Sequence, residues 1–291
     1  MNYIAKFLEY LKSVKKHSDN TIISYQDDLK ELASVLNNNI INITEEDIKK
    51  YLNYLYDKSY NKNTISRKLS GVRSFYNYLY NHDIIKTNYF TDIHNPKKIR
   101  SLPHYLKTSE IDKVLDNTNE VTLYGERNKL IVELLYVTGL RVSELVNIKL
   151  KDIDKYNKSI KIVGKGNKER IVYYEDNCSK LLNKYLNKTR KELDKNNSEY
   201  LLLNKFGNKL STRMIRNILN NLTIGTSIEQ IYPHMIRHTF ATTMLNNGAD
   251  LMTVKELLGH ESINTTSIYT HVTNEQIRKV FDSCHPRAKE K

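Results

Sequence analysis

Apolar residues at helical spacing open the chain, with Ile4, Phe7, Leu8 and Leu11 on one face of a helix predicted over residues 3–14. Ser18 or Asp19 caps a second stretch in which Ile22, Tyr25, Leu29, Leu32 and Leu36 recur every three or four positions. Thr44, with Asp47 three residues on, has the form of a capping box and starts a helix over residues 45–58. Asn63 opens another, which carries Ile65, Leu69, Val72, Phe75 and Leu79. Four amphipathic helices joined by short polar turns, with Gly71 the one glycine among them, predict a small all-helical domain over residues 1–95.

The pattern then stops. Residues 96–107 hold two of the four prolines, Pro96 and Pro103, beside Lys97, Lys98 and Arg100, and read as an extended basic linker. Such a linker is either solvated or laid along a phosphate backbone, and the charge of the chain favours the second. Beyond it, Thr108 or Ser109 caps a helix, and the nearly all-apolar run from Arg127 to Val137, ending at Gly139, predicts a helix buried at the centre of a second domain over 108–291. The turn Thr138-Gly139-Leu140-Arg141 feeds a further helix start. From Ser159 to Tyr174 the apolar period changes to two: Ile160 and Ile162 precede Gly164-Lys165-Gly166-Asn167, and Ile171 and Tyr173 follow, as in a β-hairpin with Lys165 at its tip. The remainder is mostly helical, most clearly over 235–246, 251–258 and 274–284. The fold class is mainly α, with a small antiparallel β-sheet in the second domain.

A length of 291 residues suits two domains better than one. The longest apolar run, Leu130 to Val137, is broken by Glu133 and falls far short of the ~20 residues a membrane helix needs. Residues 1–16 are amphipathic, contain Glu9, and lack the apolar centre and cleavage site of a secretion signal, so a cytoplasmic location is expected. Cys178 and Cys284 have no ligand spacing around them and read as ordinary thiols. The net charge of +13 and a pI near 9.4 point to a polyanionic partner, either nucleic acid or an anionic membrane surface. Only 12 of the 46 basic residues are arginine. Arg141, Arg170 and Arg237 therefore stand out as places where a planar, permanently charged fork is needed.

Two familiar patterns fail on inspection. Gly164-Lys165-Gly166 lacks the spacer and the Lys-Ser/Thr pair of a phosphate-binding P-loop. His234 and His238 share a helix face, but the glutamate of a zinc-binding HExxH is missing and Arg237 lies between them. No cofactor and no metal are expected. Read together, however, the segments TGLRVSEL at 138–145, GKGNKER at 164–170, HMIRHTFAT at 234–242, LLGH at 257–260 and IYTHV at 268–272 form an ordered series, with HPRA at 285–288 after it. Arg237 and His260 are 23 residues apart, and His260 and Tyr269 are 9 apart. In these pieces and spacings the chain resembles the tyrosine recombinase (phage integrase) family, most closely its Xer subgroup, over almost its whole length.

That resemblance implies a SAM-like, core-binding N-terminal domain followed by a mostly helical catalytic domain. It also implies a catalytic set of Arg141, Lys165, His234, Arg237, His260 and Tyr269. The residue types suit the chemistry. Two arginine forks neutralise the non-bridging oxygens of a phosphodiester in its transition state without a metal ion. A tyrosine, with an ordinary pKa of ~10, needs a base or a strongly positive pocket to attack, and by resemblance His234 is that base for Tyr269. Lys165 at the hairpin tip is the candidate general acid for the departing 5′ oxygen, and His260 would hydrogen-bond the phosphate. Glu144 either orients Arg141 or is an ordinary helix-surface charge. Arg170 and Lys168 read as DNA-backbone contacts or solvated charges, His238 as structural, and His271 has no assigned role.

Ile277, Val280 and Phe281 form an apolar face on the terminal helix 274–284, which either packs on its own core or docks on a neighbouring subunit. The resemblance favours docking, since the family assembles as tetramers on two DNA sites. The expected function is site-specific recombination that resolves chromosome or plasmid dimers. Its partners would be double-stranded DNA and further copies of the chain or of a paralogue, with no membrane; regulation by a DNA translocase stays open. The alternatives are an integrase of a mobile element, a type IB topoisomerase, and a catalytically silent DNA-binding protein.

Overall fold

The computed structural model describes residues 3–96, 105–118, 122–164, 168–259 and 273–289. The chain divides into two compact units, 1–101 and 102–291. The first contains four helices, α1 (Tyr3–Ser13), α2 (Asp19–Val35), α3 (Glu45–Asp57) and α4 (Lys62–Asn81). Ser18 caps α2 and Thr44 caps α3 in a reciprocal box with Asp47. The fourth helix begins one residue before the predicted start, because the Asn61 side chain caps it by accepting from the Thr64 amide. Phe7, Leu29, Leu32, Tyr51, Leu55, Val72, Phe75 and Tyr76 fill the core. Within it the buried Asp28 takes a forked pair from Arg67 and a hydrogen bond from Lys68, which ties α2 to α4.

In the second unit, α5 (Thr108–Asp116) and α6 (Leu123–Thr138) come first. The apolar run of α6 is buried all round, as its composition requires. A short α7 (Val142–Leu145) leads to a three-stranded antiparallel sheet of β1 (Ile153–Asp154), β2 (Ser159–Val163) and β3 (Glu169–Tyr173), in that order. The predicted hairpin is β2 with β3; the two-residue β1, too short to leave a periodic trace in the sequence, pairs Ile153 with Ile160. Helices α8 (Asp176–Lys184), α9 (Arg190–Leu193), α10 (Thr212–Leu222), α11 (Pro233–Asn246), α12 (Leu251–Leu258), α13 (Asn274–Cys284) and α14 (Pro286–Lys289) complete the described α-helices, with a π-helical segment, Tyr185–Thr189, joining α8 to α9. None of the described helices is long and apolar enough to cross a membrane.

In the single chain the terminal helix packs on its own core, the first of its two sequence readings. Ile277, Phe281 and Cys284 of α13 are buried in one cluster with Tyr173, Phe240, Met244, Val254 and Leu257 of the same unit. The Tyr173 hydroxyl donates to the Asn274 carbonyl, and Asn247 donates to the Cys284 carbonyl. The apolar surface left by α11, α12 and β3 would otherwise face water, and α13 is the segment that covers it. Both cysteines are free and buried.

Just after α13, the His285 ring is fully buried among the rings of Tyr136, Phe240 and Phe281, at centroid distances of 5.2, 5.6 and 5.3 Å. Burial pushes its pKa down to about 3. The unfolded chain takes up this proton near pH ~6.5, so the stability is complete above that value and is lost as pH falls below it. The expected slope is about 1.4 kcal/mol per pH unit from this residue. Urea unfolding of wild type and His285→Phe at pH 7, 6 and 5 checks this: the variant should be flatter across that range, and an unchanged slope would assign the acid sensitivity elsewhere.

Candidate active site

Two glycines end the helices that frame the site. Gly139 follows α6 with φ of +59° and Gly259 follows α12 with φ of +63°, the left-handed conformation in which a side chain is disfavoured. A helix C-terminus leaves carbonyl oxygens without intrahelical partners and carries partial negative charge. Here three arginines from remote segments supply the donors. Arg237, on α11, donates Nη1 to the Gly139 carbonyl and Nη2 to the Leu258 carbonyl, each at 2.7 Å. Arg141, directly before α7, donates to the carbonyls of Gly259 at 3.2 Å and Leu258 at 3.4 Å. Arg170, on β3, donates Nε to the Leu257 carbonyl at 2.9 Å. Leu257 and Leu258 at the end of α12, with Gly259 directly after it, are thus held by three separate guanidinium groups.

One carboxylate joins them. Glu144 receives Arg170 as a fork, Nη1 to Oε1 at 2.9 Å and Nη2 to Oε2 at 2.7 Å. It also accepts Arg141 Nη1 at 2.9 Å and the Arg141 backbone amide at 2.8 Å, closing the first turn of α7. Burial pushes the Glu144 carboxyl upward, but the hydrogen bonds from Arg170 and Arg141 outweigh it and hold the group below the usual carboxylate range. Burial and the neighbouring cations Arg141 and Arg170 push Arg237 down to about 10, with Glu144 opposing. Arg237 therefore stays cationic at neutral pH in surroundings that disfavour its charge, and an added anion would relieve that. The Arg141 side chain is 36% exposed against 12% for Arg170, so Arg141 is the fork more open to a ligand. A cleft beside the cluster is lined by Arg141, Glu144, Asn147, Lys168, Arg170 and Lys255.

Of the predicted site residues, Arg141 and Arg237 come together at the end of α12. His234 is exposed in the first turn of α11, three residues before Arg237 and so on the same side of the helix. Lys165, His260 and Tyr269, with His271, lie outside the described residues. Glu144 orients Arg141, which decides between its two sequence readings. Arg170 corrects the sequence reading: its fork is committed to Glu144 and Leu257 rather than solvated or spread on a DNA backbone, whereas Lys168 is exposed. A signal for this was present. Arg170 pairs with Ile162 across the hairpin, and Val172 pairs with Ile160, so Arg170 shares a face with three buried aliphatic residues. An arginine at a core-facing strand position needs an internal partner. His238 lies edge-on to the Tyr105 ring, at 6.4 Å. Among the described residues, no group of His, Cys, Asp or Glu gathers as a metal site would require.

This arrangement can bind a tetrahedral anion and stabilise charge that develops on it. The comparisons with known proteins agree with that chemistry. A model of the phage integrase family matches residues 104–276, and a model of its N-terminal SAM-like domain matches residues 4–83. Tyrosine recombinase XerC of Staphylococcus saprophyticus is 42% identical over 287 residues, 97% of each chain. That of Staphylococcus carnosus is 40% identical over 294 residues, 99% of each chain. The crystal structure of XerA recombinase is 30% identical with a TM-score of 0.51, covering 99% of this chain and 100% of that one. A lambda integrase dimer bound to a COC′ core site shares the fold, with a TM-score of 0.72 at 18% identity over 93% of this chain and 98% of that one. With both domains of the family matched in order and XerC relatives aligned from end to end, the chain belongs to the phage integrase family and is a site-specific tyrosine recombinase of the Xer type.

Proposed function

We propose that the chain cleaves and rejoins double-stranded DNA through Tyr269, with Arg141, Lys165, His234, Arg237 and His260 as the catalytic set. The observation that carries this reading is the pair of arginine forks, Arg141 and Arg237, meeting at the end of α12. Residue 260 follows that end directly in the sequence. The Tyr269 oxygen attacks the scissile phosphorus while the phosphorus–O5′ bond breaks. The tyrosine proton passes to His234, and Lys165 protonates the departing 5′ oxygen. Arg141 and Arg237 take the charge that gathers on the non-bridging oxygens, and His260 adds a hydrogen bond. The product is a 3′-phosphotyrosyl link. Attack on it by the 5′ hydroxyl of another strand reverses the step with the exchanged partner and consumes no ATP.

Assembly follows from the same chemistry, since exchange between two duplexes needs two cleaved sites on each. Related structures include XerH bound to its difH substrate and a lambda integrase tetramer on a Holliday junction. We infer that this chain works as four subunits on two DNA sites, all of one kind or shared with a paralogue, and that its task is the resolution of chromosome or plasmid dimers. Residues 1–95 and the basic residues of the linker would add DNA contacts to those of the catalytic unit.

Covalent capture tests the nucleophile. Wild type and Tyr269→Phe are incubated in EDTA with nicked duplexes carrying Xer-type core sites and run on a denaturing gel. An adduct is expected from wild type alone. An adduct that persists in Tyr269→Phe would remove Tyr269 from its role, and no adduct from wild type across such sites would count against cleavage by this chain acting alone.

A further inference from the structure

We propose that Arg170 is a positioning residue for DNA cleavage, acting on the scissile phosphate through Glu144 and Arg141; this rests on the recombinase reading above. The geometry makes the route short. Arg170 occupies both oxygens of the buried Glu144 carboxylate, and Oε1 is the atom that also accepts Arg141 Nη1. Without Arg170, that carboxylate would keep only the bonds from Arg141, and its buried charge would draw the Arg141 fork inward. With Arg170 in place, both Glu144 oxygens are held, and the Arg141 fork stays in the wall of the cleft with 36% of its side chain exposed. The third donor of Arg170 fixes the position of the Leu257 carbonyl, one residue before the carbonyl shared by Arg141 and Arg237.

Crowding reinforces the placement. A Cβ on Gly259 would lie 3.0 Å from Arg170 Nη1 and 3.2 Å from its Cδ and Cζ, so the glycine and the guanidinium are packed face to face. Arg170 stands on β3 opposite Ile162, in the hairpin, and Glu144 belongs to α7. Its side chain therefore joins the hairpin, α7 and the end of α12 at one point. A lysine cannot replace it, because one ammonium does not span two carboxylate oxygens and a carbonyl in a fixed plane.

The test compares full-length wild type, Arg170→Lys, Arg170→Ala and Arg141→Ala in single-turnover adduct formation on a nicked core site, with site binding measured in parallel. A second duplex carries a methylphosphonate at the scissile position, which lacks one non-bridging negative charge and so asks less of Arg141. On the phosphodiester, Arg170→Ala is expected to form adduct roughly 100-fold more slowly and Arg170→Lys about tenfold more slowly, while binding stays within about threefold. On the methylphosphonate, both deficits should shrink to a few-fold, in step with that of Arg141→Ala. A purely structural role would depress both duplexes equally. Equal deficits on both duplexes, or adduct rates within about threefold of wild type, would overturn the proposal. If Arg170→Ala does not fold, Arg170→Lys carries the same comparison. A wild type that forms no adduct would overturn the reading that this chain cleaves alone, and this proposal with it, whereas an active wild type matched by its Arg170 variants would overturn this proposal alone.

Discussion

Replacing Arg237 with lysine is expected to slow adduct formation by roughly 100- to 1000-fold while leaving site binding within a few-fold of wild type. The loss follows from two bonds of equal length to two different helix ends. The Arg237 fork reaches the Gly139 and Leu258 carbonyls at 2.7 Å each, in a position only 8% exposed. A lysine ammonium at the end of a flexible stem reaches one of them and leaves the other buried and unpaired. The variant should also acquire a loss of activity at high pH beyond that of wild type. Burial and the two neighbouring arginines push Arg237 down to about 10, where it is still charged at any physiological pH. The same surroundings would push a lysine, ordinarily near ~10.4, downward for the same reasons of burial and neighbouring positive charge. The lysine variant should therefore lose activity as pH rises from 7 to 9. Single-turnover rates across that range read both effects. A flat profile at near-wild-type rates would show that the fork is dispensable.

The second large effect is on folding. Gly139→Ala is expected to destabilise the second unit by about 2–5 kcal/mol, which lowers its melting temperature by roughly 5–15 °C. Backbone strain is part of this, since φ is +59°. Overpacking is the rest: a Cβ at this position would lie 2.6 Å from Cδ1 of Phe240 and 2.9 Å from Cδ2 of Leu258, both in the packed interior. Relief requires Gly139 to move, and its carbonyl is an acceptor of Arg237. Stability and cleavage should therefore fall together, in contrast to Arg237→Lys, which mainly affects the second. Thermal unfolding and adduct formation on the same preparation check the pairing, and a melting temperature within 1 °C of wild type would refute the crowding argument.

The helical units were readable because their signals are local. Thr44 with Asp47, the apolar faces of α2 and α4, and the change of period at Ser159 each lie within one or two turns of chain. The pairings that build the site are not local. Arg237 bonds to Gly139 across 98 positions and Arg170 to Leu257 across 87. For Arg141 and Arg237 the family pattern stood in for that missing tertiary information. For Arg170 it did not, because a basic residue beside a hairpin tip looks the same whether it points outward or in; the decision lay in the strand parity it shares with Val172. The apolar stripe of α13 was equally legible, but which surface it covers depended on Tyr173 and Phe240, far away in sequence.

The order in which the chain is made gives the end of α12 a further meaning. Arg141, Arg170 and Arg237 all leave the ribosome before Leu257, Leu258 and Gly259, the residues whose carbonyls they hold. Tyr269 comes later still. A chain released before Leu257 thus keeps Glu144 and Gly139 as acceptors but lacks the carbonyls at which all three cations meet, and it lacks Tyr269. Incomplete products of synthesis can carry the charge that attracts DNA, but they lack the residue proposed to cut it.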